Sequence, residues 1–401
     1  MEWEALQLRD CCKKITDGTH DTPSPVSAGV PYLTAIHVKD SGIAFGDCLY
    51  LSQEDHEAIY RRCNPQMGDV LMVNIGAGVA TTALVDVGFE FSLKNVALLK
   101  PDFTRLSGEY LNHCLAKQKA TTVQRLLSGG AQPFLSLAQI GQLYIPLPPL
   151  PEQRAISAAL GDVDTLLSGL DRLIAKKRDL KQAAMQQLLT GQTRLPDFQG
   201  EWDVKRLGEV GEISGSGVDK KSRPDEMPVR LVNYMDVYRR SFIYSVDLDH
   251  AVTAQPHQAR RCAVLKGDVF FTPSSETRDD IANSAVAMED IGDAAYSYHV
   301  VRLRLTESWD LRFRTYAFKS RAFLQQAETV CDGGGTRYVI SLSKFRSLIV
   351  NVPPLPEQAA IAAILSDMDD ELTALDARRV KTRALKQAMM QELLTGRTRL
   401  V

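Results

Sequence analysis

The chain has 401 residues, with 47 Lys and Arg against 49 Asp and Glu, 44% hydrophobic and 24% charged. This composition leaves room for two or three globular domains and excludes a disordered tail protein and a collagenous one. The opening MEWEALQLRD is charged and no run of about 18 apolar residues occurs, so neither a signal peptide nor a membrane span is expected, and the protein reads as cytoplasmic. Cys11, Cys12, Cys48, Cys63, Cys114, Cys262 and Cys331 show no Cys-x-x-Cys pair or zinc-type His spacing and read as reduced structural thiols, with no metal site.

In chain order, residues 1–148 form a first domain. GVPYLTAIHV, GDVLMVNIG and FSLKNVALLK cluster β-branched and apolar residues between Gly and Pro, which predicts strands, and a helix is expected over Gly108 to Leu127. Residues 149–195 read as one long helix. Pro151 sits where a first-turn proline is tolerated, Glu152 meets the positive dipole end, and Gly191 stands at the stop position. Ile156, Leu160, Val163, Leu167, Leu170 and Ile174 step by four and three residues, as in a coiled-coil seam. Lys177 interrupts it, and the apolar face is expected to resume, shifted, at Leu180, Ala184 and Leu188, with a local change of winding.

The stretch Thr193 to Val210, rich in Pro, Gly and charge, reads as a linker. A second domain, 196–353, follows, with strands in PVRLVNY, GDVFFTP and SYHVVRLRL and a helix near Leu311 to Thr329. Residues 354–401 repeat the long helix: the seam returns as Ile361, Leu365, Met368, Leu372 and Leu375, Thr382 interrupts it, and Leu385, Met389 and Leu393 resume it.

The repeat is literal. Residues 143–195 align without a gap on residues 348–400, with 31 of 53 positions identical, from PPLPEQ through LLTG to TRL. The expected fold class is α/β (α+β): two globular domains with mixed sheets, joined by two long helices that form an antiparallel coiled coil about a pseudo-twofold axis. A helix over 152–190 would be a ruler of roughly 58 Å at 1.5 Å per residue.

Catalytic motifs are missing. NIGAGVA lacks the Lys-Ser/Thr ending of a phosphate loop, and no Ser-His-Asp or His-Glu-x-x-His spacing appears. PDFQGEWDVK contains a nuclease-like Pro-Asp and Asp-x-Lys by coincidence, and PLPPLP is either a polyproline ligand or a helix entry. Charge is also balanced by segment: 12 basic and 15 acidic residues fall in 1–148, and 21 of each in 199–353. A nucleic-acid role therefore requires positive charge concentrated on one face, or partners that share the phosphate contacts.

PPLPEQ opening a long helix that ends in LLTG and TRL, twice, each time after a domain of about 150 residues, resembles the specificity (S) subunit of type I restriction-modification enzymes, over essentially the whole chain. ITDGTHDTP with GVPYLTAIHVKDSG resembles one type of target-recognition domain in that family. GSGVDKKSRPDEMPVRLVNYMDVY with TPSSETRDDIANSAVA resembles another. The resemblance implies a non-catalytic adaptor on double-stranded DNA, each domain reading one half of a split, asymmetric target. The helix pair would set the spacer and dock two modification subunits. These would carry S-adenosylmethionine and flip an adenine for N6 methylation; two restriction subunits, where present, would use ATP and Mg. This chain itself would hold no cofactor.

The candidate DNA contacts in the first domain are Asp17, Gly18, Thr19, His20 and Thr22, with Gln132 beside a Gly-Gly turn, although the DGTH loop can equally be an Asx turn. In the second they are Lys220, Lys221, Arg223, Arg239 and Arg240, backed by Ser274, Ser275, Thr277, Arg278 and Arg337. A rival reading is a coiled-coil scaffold of another defence complex, which would show no sequence preference on DNA. An enzyme with unseen catalytic residues is a second.

Overall fold

The computed structural model describes residues 3–76, 78–127 and 134–400. The chain divides into two units: Met1–Asp171 with Ala377–Val401, and Arg172–Asp376. Each long helix, Leu150–Leu188 and Leu355–Leu393, is shared between them.

In the first unit an antiparallel sheet runs in the order Cys12–Asp17, Val96–Pro101, Val70–Val73, Thr82–Leu84. A second sheet places Val30–Leu33 between Leu49–Leu51 and a parallel partner, Ser92–Leu93. The second unit repeats both. Gly211–Ser214, Val301–Leu305, Val269–Phe271 and Ser284–Ala287 follow the same order, extended by Phe242–Ile243, and Met227–Val232 lies between Ala251–Ala254 and its parallel partner Ile291–Tyr296.

The local cause is the same in both. Gly68 (φ +90°) and Gly267 (φ +87°) take backbone conformations open to glycine, turning the chain into fully buried strands. The next residue anchors the turn. Asp69 accepts from the Gln66 backbone N–H (2.8 Å) and the Lys100 ammonium, and Asp268 from the Leu265 N–H (2.9 Å) and the Arg304 guanidinium (2.8 and 2.7 Å).

The two repeated motifs of the long helices meet each other within each unit. In the first, Glu152 is 2% exposed and takes two hydrogen bonds from Arg399 (2.5 and 2.6 Å), whose guanidinium lies 5.2 Å from the Trp3 ring. In the second, Glu357 takes two from Arg194 (2.7 and 2.6 Å) and one from Trp202 Nε1 (2.9 Å). The neighbouring Gln153 and Gln358 clamp the domain: their side-chain oxygens accept from the Ser107 and Asp310 N–H, both at 2.9 Å. PPLPEQ and TRL are thus two halves of one joint.

Ion pairs show the helices side by side and opposed in each unit. The first has Asp164–Lys386 at 2.5 Å and Asp171–Arg379 at 3.2 Å; the second has Lys177–Glu371 at 2.7 Å, Lys181–Asp369, and Arg178–Asp376 at 3.2 Å. From Asp164 to Asp171 the partner falls from 386 to 379, and from Lys177 to Lys181 from 371 to 369. Ile156, Leu160, Leu170, Ile174, Ile361 and Leu365 are buried, and Val163, Leu167, Met368, Leu372 and Leu375 half-buried, as the period predicts.

Three expectations need correction. The apolar face does resume at Ala184, Leu188, Met389 and Leu393, which are buried or packed against the cores, but in the unshifted register. Leu180 and Leu385 are 46% and 54% exposed, whereas Thr382 is buried, its hydroxyl donating to the Arg378 carbonyl at 2.8 Å, and Lys177 and Lys181 pair with acids of the other helix. The linker is shorter than Thr193 to Val210: Asp203–Arg206 pairs with Ile349–Val352, and a helical turn, Leu207–Val210, buries Leu207 and Val210. The helix expected near Leu311 to Thr329 is two, Phe313–Ala317 and Arg321–Val330, because the Ser320 side chain caps the second by accepting from the Phe323 N–H at 3.2 Å. Gly108–Leu127 is one helix.

Candidate nucleic-acid interface

In the first unit the DGTH loop leaves the end of Cys12–Asp17 and lies against residues 93–96. The Thr19 N–H donates to the Leu93 carbonyl (2.9 Å) and the Asn95 N–H to the Thr19 carbonyl (3.2 Å). A Cβ on Gly18 would stand 2.0 Å from the Leu93 carbonyl oxygen, so only glycine allows this approach. Asp17 is 6% exposed and saturated: Arg62 donates to it at 2.5 Å and His20 pairs with it at 2.9 Å. Asp17 and Thr19 therefore hold the loop, through the Arg62 and His20 contacts of Asp17 and the Asp21 N–H bond to Thr19 Oγ1 at 3.1 Å rather than through an Asx turn on Asp17. His20 remains on the surface, its other ring nitrogen 2.7 Å from Asn95 Oδ1, with Thr22 accepting from Lys94. His20 and Thr22 are exposed beside the half-buried Lys94 and Asn95. Gln132 lies outside the described residues.

The second unit gathers its candidates differently. Ser274, Ser275, Thr277 and Arg337 line one cavity of about 500 Å³ with Tyr234, Tyr238, Thr336, Glu276 and Asp280. Tyr234 and Tyr238, four residues apart on the helix Tyr234–Arg239, stack with centroids 5.9 Å apart and planes at 18°. Their hydroxyls donate to the Ser274 carbonyl and to Asp280 Oδ2, both at 2.8 Å. Burial pushes the Tyr234 phenol up and the bond to Asp280 pushes the Tyr238 phenol up, so both stay neutral donors.

Tyr298 packs on the His299 ring, centroids 3.8 Å apart and planes tilted by 38°, and is 48% exposed. His299 is held below the usual imidazole range, first by burial and then by the positive charge of Lys220 and Arg337. These two cations, from loops more than a hundred residues apart, thus act on one spot.

Other candidates are engaged within the fold. Arg240 pairs with Asp236 (2.9 Å) and Asp247 (3.4 Å), Arg223 with Glu226 (3.5 Å), and Arg278 donates to the Glu328 carbonyl (3.3 Å) while covering the Tyr338 ring at 5.2 Å. Arg240 and Arg278 are structural ties, because their guanidinium donors are already directed at protein acceptors. Lys221 and Arg239 are exposed, Arg239 on a separate cavity with Asp236 and Asp249. The sequence reading missed Lys94, Asn95, Tyr234, Tyr238, Tyr298 and His299. The Tyr-x-x-x-Tyr spacing, which stacks two rings on one helix face, was the available signal.

The model of the type I restriction modification DNA specificity domain matches residues 1–176 and 199–382. A putative type I restriction enzyme MjaX specificity subunit of Methanocaldococcus jannaschii is 22% identical, covering 99% of this chain and 94% of that protein. The MjaVIII specificity subunit of the same organism is 23% identical, covering 99% and 93%. Among solved structures, the S subunit of a type I restriction-modification system from M. genitalium has the same fold, with a TM-score of 0.58 at 15% identity over 98% of this chain and 96% of that one.

Proposed function

This chain belongs to the type I restriction-modification DNA specificity family, and from that premise we propose how its two units divide the work. Each reads one half of a bipartite DNA target, the first domain (1–148) through the His20, Thr22, Lys94, Asn95 surface and the second (196–353) through its own loops. The halves of the target are unlike because the loops are unlike. The observation that carries the reading is the contrast within the repeat: sheet order and helix joints recur, while the loop clusters differ, the second alone built on a stacked tyrosine pair among the described residues.

The helices, 149–195 and 354–401, pair as one antiparallel coiled coil about a pseudo-twofold axis and set the unread spacer. At roughly 58 Å the helix exceeds one DNA turn of about 34 to 36 Å, so both half-sites can be met at once. Two modification subunits dock on exposed apolar residues of the helices, Leu166, Val380 and Leu385 in the first unit and Leu173 and Leu180 in the second. They supply S-adenosylmethionine and the flipped adenine's chemistry; restriction subunits, where the system has them, supply ATP- and Mg-dependent cleavage. This chain contributes recognition without catalysis. No helix among the described residues is long and apolar enough to cross a membrane.

Single-molecule sequencing of adenine methylation, in a host carrying the chain with its modification subunit and in one lacking the chain, tests this. A split asymmetric motif that appears only with the chain is the expected result. Unchanged methylation with a demonstrably active modification subunit overturns it in favour of a scaffold without sequence preference.

A further inference from the structure

We propose that the cleft between the stacked tyrosines and the glycine hairpin is the base-reading groove of the second half-site, with Arg337 on a guanine edge and Lys220 on a flanking phosphate. This assignment rests on the family reading above and names the residues that would carry it.

Arg337 stands on a hairpin, Asp332–Gly334 paired with Arg337–Val339, whose residues 332–337 are all exposed. Gly333 (φ +121°) and Gly335 (φ +68°) close it, and a Cβ on Gly333 would stand 2.2 Å from the Arg337 carbonyl oxygen, so the tight projecting shape depends on glycine there. Projection alone would make Arg337 one more surface cation. Its place distinguishes it. Among the described residues Arg337 is the one cation lining the cleft with Tyr234 and Tyr238, and like Lys220, Lys221 and Arg239 it forms no ion pair, whereas Arg223, Arg230, Arg240 and Arg304 are each paired with a carboxylate. The Val218–Lys221 loop is tied to the Tyr298–His299 segment by the Tyr298 N–H to Val218 carbonyl bond at 3.1 Å, and the Lys220 and Arg337 charges both act on His299 against the opposing charge of Asp219. A polyanion is drawn to such exposed cations.

The cleft beneath is built to hold its shape. Tyr234 and Tyr238 stack, both hydroxyls are tied down, Asp280 is further fixed by Asn283 Nδ2 (3.0 Å), and Ser275 Oγ accepts the Thr277 N–H (3.2 Å). Such a wall positions a side chain without reordering on binding. Around it, hydroxyls on Thr277 and Thr336 and the carboxylate of Glu276 match base-edge donors, including the cytosine amino group. An arginine fork complements guanine O6 and N7, while a lysine suits a phosphate as a point charge.

The test uses the full chain assembled with its modification subunit, with methylation mapped genome-wide and binding measured by anisotropy on duplexes substituted at each target position. Arg337→Ala is expected to leave the first half-site unchanged and to abolish a roughly ten- to hundred-fold preference at one G·C pair of the second. Arg337→Lys should not restore it. Lys220→Ala should weaken all duplexes alike and reduce the log–log salt slope by about 1. An unchanged unfolding midpoint for Arg337→Ala excludes misfolding. A wild-type split motif that Arg337→Ala reads with undiminished strictness, or relaxes only in its first half, overturns this assignment while leaving the family function standing. A wild-type complex with no split motif overturns both.

Discussion

Replacing Arg194 by Ala should unfold the second unit far more readily than its half-surface position suggests. The change removes two charge-assisted hydrogen bonds, at 2.7 and 2.6 Å, from a carboxylate that is 1% exposed, together with the Arg194 bond to the Gly200 carbonyl at 2.6 Å. Among the described residues Trp202 Nε1 would still donate to Glu357, at 2.9 Å. Removing one partner of a buried pair costs about 3–5 kcal/mol, chiefly through the stranded charge. With the Arg194 side chain 26% exposed, water can reach part of the gap, which places the loss near the lower end, about 3 kcal/mol. Urea unfolding monitored by tryptophan fluorescence measures it: in a Trp3→Phe background the remaining tryptophans, Trp202 and Trp309, both report on the second unit. The double variant Arg194→Ala with Glu357→Gln removes the stranded charge and should recover at least half the loss. A cost below about 1 kcal/mol, the range of exposed pairs, or a double variant no better than the single, would refute the argument.

Gly18→Ala should destabilise the first unit and erase recognition of the first half-site alone, since the new methyl group meets the Leu93 carbonyl oxygen at 2.0 Å; methylome mapping checks it. Burial, and next the neighbouring Lys181, push the Lys319 ammonium down to about 8. The unfolded chain keeps that proton to about 10.4, so between these values it binds more protons than the folded one and stability rises with pH. Urea midpoints of wild type minus Lys319→Met should climb from pH 8 to 10, and a flat difference would contradict it. Ile361→Ala, at a fully packed seam position, should cost about 2–5 kcal/mol. Leu385→Ala should stay within about 0.5 kcal/mol while weakening co-purification with the modification subunit.

What local sequence patterns specify was readable, and what depends on distant pairing was not. The seam from Ile156 to Ile174 follows from a period of 3.5, and Gly108–Leu127 from one uninterrupted helical run. Lys177 and Thr382 looked like breaks because periodicity counts apolar residues, whereas a lysine paired with an acid of the other helix or a hydroxyl bonded to its own helix can stand in the same place. Asp203–Arg206 passed for linker because its partner, Ile349–Val352, lies some 146 residues on. For the candidate site, residue type identified a cation-bearing loop but not its neutralisation. Arg240 and Arg337 look alike in sequence; the fold sets Asp236 and Asp247 against the first, whereas the second forms no ion pair among the described residues and lines a cleft.

The shared helices turn this into a statement about how the chain closes. Glu152, near the start of the first helix, is paired with Arg399 at the end of the second, and Leu393 and Leu394 lie in the same core as Leu8, Tyr110 and Ile156. The last 25 residues, Ala377–Val401, thus complete the first unit although they follow the second in sequence. Deleting them should expose Trp3, which loses the Arg399 guanidinium above its ring and the close approach of Gly396, and should strand Glu152 without its cation. The second unit keeps both halves of its own joint, Arg194 and Glu357, so Trp202 and Trp309 should still report a cooperative transition at an unchanged midpoint. The reverse outcome, a native Trp3 signal with the second unit destabilised, would mean that each helix serves the domain preceding it in sequence, and the swapped joint would have to be abandoned.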